Sequence, residues 1–138
     1  MALFTKVNDF SEQLCRGIHN FGTHAFKWAL TNTAPLATNT VLADITQITA
    51  GNGYTTGGSA APTMTVVETG GVTTLGAGDT VFTAAGGSIG PFRYAVLYND
   101  TATSKNLVGF IDHGSAITVT DGNTYMVDIT ASGFCTVT

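Results

Sequence analysis

A chain of 138 residues that is 43% hydrophobic but only 10% charged is long enough for one domain with its own core, yet far poorer in charge than ordinary soluble domains. Its net charge of -4, with the cations scattered at Lys6, Arg16, Lys27, Arg93 and Lys105, excludes a nucleic-acid surface, which needs them clustered. No apolar run approaches the ~20 residues of a membrane span, and Leu3, Phe4 and their neighbours form no apolar leader, so the expectation is a product made in a cytoplasm.

Thr and Gly fill the place left by charge, which favours strands and turns over helices. The exception comes first. Val7, Phe10, Leu14 and Ile18 are spaced to lie on one stripe of a helix within residues 1–22. Thr5 or Asn8 can cap its start, Arg16 suits its last turn and Gly17 the left-handed position beyond. Residues 23–138 then read as a single β domain, opened by Phe26, Trp28 and Leu30 alternating with Lys27, Ala29 and Thr31, the pattern of a half-buried strand.

Thr33–Thr40, with Pro35, predicts a loop, and Val41–Ile48 a strand or a short turn of helix, the strand being preferred. Gly51-Asn52-Gly53-Tyr54 and Gly57-Gly58 predict a turn-dense loop; without a Lys and a following helix it is no phosphate cradle. Strands follow over Thr63–Glu68, Val72–Thr74 and Thr80–Ala84, separated by the Gly70-Gly71 turn and a loop. Phe92, Tyr94, Val96 and Tyr98 make one apolar face of a strand central to a sheet. Beyond it, Leu107–Asp112, Ser115–Thr120, Thr124–Thr130 and Phe134–Thr138 predict an antiparallel meander, with Asp121-Gly122 as a two-residue hairpin turn. The whole predicts a mainly β, antiparallel fold, a β-sandwich, jelly roll or partly open barrel, carrying a short N-terminal helix.

Candidate chemistry is thin. His19, His24 and His113 could approach one another, but they sit at a helix end, a strand start and an Asp112-His113-Gly114 turn. Asp44, Asp79, Asp100, Asp112 and Asp121 occupy turn positions and do not form the calcium-loop pattern. Cys15 and Cys135 lack the spacing of a zinc site and are expected reduced and buried. No metal or cofactor is expected, and no nucleophile motif appears: Gly87-Ser88-Ile89-Gly90 is not G-x-S-x-G. The expectation is a protein that is not an enzyme and that works through its surface. Trp28, Tyr54, Tyr94 and Tyr98 read as core more readily than as a stacking platform. The apolar terminal residues Phe4, Val7 and Phe10 must either dock on their own domain or reach a neighbour.

Leu30-Thr31-Asn32-Thr33-Ala34-Pro35, Thr38–Thr46, Ala50-Gly51-Asn52-Gly53-Tyr54 and Gly90–Asp100 together resemble a family of small proteins encoded by tailed bacteriophages near the major capsid gene. The likeness runs over nearly the whole chain and is weakest from Gly58 to Thr80. It implies a virion structural protein, a capsid decoration or cement protein bound to the outside of the head. It also implies the major capsid protein as partner, a homotrimer, and an N-terminal segment whose contact residues would be Leu3, Phe4, Val7 and Phe10. Rival readings are a tail tube or tail-tip protein, a carbohydrate-binding module displayed on the virion with Trp28 or the tyrosines as platform, and a small hydrolase using His24 or His113.

Overall fold

The computed structural model describes residues 3–138. Its elements are β1 (Phe4–Lys6), α1 (Phe10–Cys15), β2 (Phe26–Thr31), β3 (Ser59–Ala60), β4 (Thr65–Thr69), β5 (Val72–Gly76), β6 (Thr80–Thr83), β7 (Ile89–Asn99), β8 (Leu107–Val119), β9 (Thr124–Val127) and β10 (Cys135–Val137). Strand makes up 45% of the chain and helix 7%, so the mainly β class read from composition is the class observed. The strands form three antiparallel sheets, ordered β1-β8-β7-β2-β3, β10-β5-β4 and β6-β9. All three send side chains into one core, among them Trp28, Leu75, Phe82, Phe92 and Tyr125. The arrangement is sandwich-like, and its free edges distinguish it from a closed barrel.

β7 is the middle strand of its sheet, as its alternating aromatics predict. β2 departs from its predicted half-burial: between β7 and β3 it is covered on both faces, and only Lys27 reaches partly into solvent. The ammonium of Lys27 meets Asp100 at 3.4 Å, and Lys105 meets the same carboxylate at 2.9 Å. These two cations hold Asp100 below the usual carboxylate range. Gly58 lets β3 approach β2: it has positive φ, and a Cβ there would run into the Trp28 carbonyl.

Four local expectations change. The N-terminal helix shortens to six residues: it ends where expected, at Gly17 in the left-handed conformation, with Gly17 N–H donating to Leu14 O and Ile18 N–H to Gln13 O, but it starts only at Phe10 and leaves Val7 outside. Ahead of it, Phe4–Lys6 extend along the open edge of β8, where Gly109 supplies no side chain to obstruct Phe4 or the Thr5 carbonyl. Over Val41–Ile48, where the sequence favours a strand over a short turn of helix, Leu42–Asp44 form a 3-10 turn. The Asp44 carboxylate accepts from Thr40 N at 2.9 Å and Val41 N at 3.3 Å, an alternative that ladder bonds do not match.

The C-terminal meander changes most. Asp112-His113-Gly114 is not a turn but a stretch inside one long β8, absorbed by register shifts against β7 between Ile89 and Tyr94. Asp121-Gly122 does form a turn, closed by Asn123 N–H to Thr120 O at 2.9 Å. It joins strands of different sheets, since β9 pairs with β6 and not with β8. Of the turn's two central residues only Gly122 has positive φ, so the mirror-type hairpin turn, which needs both, is absent.

Candidate contact surfaces

The predicted contact residues at the N-terminus part company. Val7 and Phe10 are fully buried in their own domain's core, and the Val7 amide donates to Val108 O at 3.1 Å. Phe4 is half-buried, its ring edge-on to Trp28 at 6.2 Å and to Phe134 at 5.2 Å. Only Leu3, 83% exposed, faces solvent. The segment therefore docks as the outer strand and a short helix of the domain. Val7 and Phe10 drop out of any contact set in this conformation, because releasing them would expose a fully packed valine and phenylalanine.

The polar residues gather in two places. Asn99, fully buried at the end of β7, accepts from Thr101 N at 3.0 Å and Ala102 N at 3.1 Å through its Oδ1, which fixes its amide orientation. Its Nδ2 then faces Ile18 O at 3.0 Å, His24 Nδ1 at 3.1 Å and His19 Nδ1 at 3.3 Å. The amide's two N–H groups are shared among these three acceptors, and a proton on His19 Nδ1 would face a donor. His19 lies among Phe10, Phe21 and Phe26, and burial pushes it down to about 4. It is held neutral and serves to tie the segment after α1 onto the central sheet.

The second group lies along β7 and β8. Arg93 donates through Nε and Nη2 to Asp112, at 2.8 and 3.1 Å, which holds that carboxyl low. Beside it, His113 Nε2 shares a short hydrogen bond with the Tyr125 hydroxyl. Burial lowers the His113 imidazole and raises the Tyr125 phenol. Most of these polar groups are thus bound to a neighbour of the same chain, whereas the buried His19 Nε2 and Trp28 Nε1 have no hydrogen-bond partner. Among the described residues no three His, Cys, Asp or Glu side chains gather as metal ligands, and no helix is long and apolar enough to cross a membrane. Cys15 and Cys135 are free thiols. Contrary to expectation Cys15 is exposed and Cys135 only partly covered, because α1 turns its Phe10 face to the core and β10 lies at a sheet margin.

The aromatic rings offer no platform. Trp28, Tyr54, Tyr94 and Tyr98 are all buried. Tyr54 receives the Leu30 amide and donates to Gln47, and Tyr98 donates to Gly57 O, which pins the glycine-rich loop to the sheet.

Apolar exposure lies elsewhere. On the β6-β9 sheet, Val81 opposes Met126, and they are 50% and 48% exposed. Thr83 and Thr124 are the next pair on that outer face, exposed Asp79 and Asp128 lie just beyond its other end, and Phe82 and Tyr125 point inward. On the β4-β5 hairpin, Val66 and Val67 are 50% and 56% exposed, one on each face of the sheet. Neither surface follows from the periodicity alone. The legible signal was the adjacent Val66-Val67 pair: consecutive residues of a strand point to opposite faces, so a strand with one core face cannot bury both. No family model matches the chain, nor does any curated protein or solved structure.

Proposed function

We propose that this chain is a non-enzymatic virion structural protein of a tailed bacteriophage that decorates the outside of the head and stabilises the shell by bridging major capsid subunits. The observation that carries the reading is the outer face of the β6-β9 ladder, where Val81 and Met126 stand half-exposed beside Thr83 and Thr124 and no residue of the ladder itself is charged. Such a face buries against a flat protein surface at low cost, because a hydroxyl needs one hydrogen bond whereas a charge needs a paired partner. The resemblance in the strings from Leu30 to Pro35 and from Gly90 to Asp100 supplies the setting. On a shell, many modest contacts act at once, and avidity makes up for their individual weakness.

Mass spectrometry and electron microscopy of purified virions test the reading. A copy number near that of the major capsid protein, with density on the head exterior, is the expected result. Absence from virions, or a few copies confined to the tail, would instead favour a tail tube or tail-tip role.

A further inference from the structure

The edges of the five-stranded and three-stranded sheets are protected except at one place. β1 is three residues long and ends in Lys6, β3 has two residues and β10 three. The stretch of β8 beyond its pairing with β1 is broken by register shifts and by Gly114 at positive φ. Short edges, lysines and bulges are the usual means of keeping strands of other molecules away. β4 has none of these. Its five residues, Thr65-Val66-Val67-Glu68-Thr69, pair with β5 in unbroken register, stand at the margin of the sheet and are exposed throughout.

We propose that β4 pairs with β4 of a second copy of this chain, antiparallel about a two-fold axis at Val67, to make one continuous sheet across the two copies. An axis normal to the sheet keeps each face on its own side, so the axis must pass through a residue and not between two. Centred on Glu68 it would set two carboxylates opposite each other, which is unfavourable. Centred on Val66 it would leave Glu68 opposite Met64, outside the strand. Centred on Val67 it pairs the whole strand: Val67 with Val67, Val66 with Glu68, and Thr65 with Thr69 of the second copy. Only this register combines full pairing with separated charges.

A contact built on five residues per chain falls short of the ~800 Å² per partner of stable complexes. Self-association is accordingly weak, with a dissociation constant on the order of 10 μM to 1 mM. It fills where copies are crowded, as they would be on a shell.

Sedimentation velocity across that concentration range tests the pairing with two variants at exposed positions. Val67→Lys sets two ammonium groups opposite each other and weakens the dimer at least about tenfold. Val66→Lys sets an ammonium opposite Glu68 of the second copy and leaves the dimer within about threefold of wild type. Amide exchange at Val66–Glu68 of the wild type should also slow as concentration rises, a readout that needs no variant. Three results would overturn the proposal: a wild-type monomer at every concentration, a trimer indifferent to Val67→Lys, or loss of the dimer in Val66→Lys with retention in Val67→Lys. Each is separable from the virion reading, which rests on copy number and location.

Discussion

β2 and β4 are both short strands that carry a single charged residue, yet they meet opposite fates. β2, Phe26–Thr31, lies between two strands with core on both faces, whereas β4, Thr65–Thr69, has one neighbour and is exposed on both. The difference lies in side-chain volume. Phe26, Trp28 and Leu30 fill space that no threonine or valine could fill, so their strand is drawn to the centre. Two valines among threonines bury too little to do the same, and their strand is left for another molecule to cover.

Substitutions in the two regions should therefore differ most in stability. Phe26 is fully buried, with its ring stacked on Phe21 at 4.4 Å. Phe26→Ala should lower the unfolding free energy by about 3–5 kcal/mol, measured by urea denaturation followed by circular dichroism. Val67→Ser on β4 should change it by less than about 0.5 kcal/mol. Comparable losses at the two sites would mean that the hairpin is as much part of the core as β2.

Acid should weaken the centre and spare the hairpin. His19 is neutral in the folded chain with its pKa at about 4, against 6.5 when unfolded, so the unfolded chain binds the extra proton in between. Stability is then full above pH 6.5 and falls as pH drops towards 4, by about 2–3 kcal/mol. His113, also lowered by burial, adds a smaller loss of the same sign. His19→Phe should flatten most of this slope, leaving the share of His113, in denaturation curves recorded across that range. An unchanged slope would show that His19 is not the group responsible.

The N-terminal strand offers an intermediate case. A side chain at Gly109 collides with the Thr5 carbonyl and the Phe4 ring, so Gly109→Val should cost about 1–3 kcal/mol. It should also speed amide exchange at Phe4–Lys6 while leaving β4 unchanged. Protection persisting at Phe4–Lys6 would show that β1 is held by something other than its fit against Gly109.

Volume also explains what could be read beforehand. The central strand at Phe92–Tyr98 and the turns at Gly70-Gly71 and Asp121-Gly122 were legible, because aromatic alternation and positive-φ glycines are local signals. Pairing of β9 with β6 was not, since periodicity says nothing about which strand lies alongside. Asp112-His113-Gly114 looked like a turn because a bulge and a turn use the same residues. Of the expected contact residues, Val7 and Phe10 misled for a different reason: an apolar terminal segment reads the same whether it docks at home or abroad. Gly109, which makes room for it at home, lies about a hundred residues away.

The most direct measurement is the binding of purified protein to heads assembled without it, wild type against the double variant Val81→Glu, Met126→Glu, scored by gel densitometry. The account predicts saturation near the number of capsid subunits for the wild type, and bare heads for a variant whose circular dichroism and urea midpoint are unchanged. Wild-type occupancy by the folded variant, or no binding by the wild type, would contradict it.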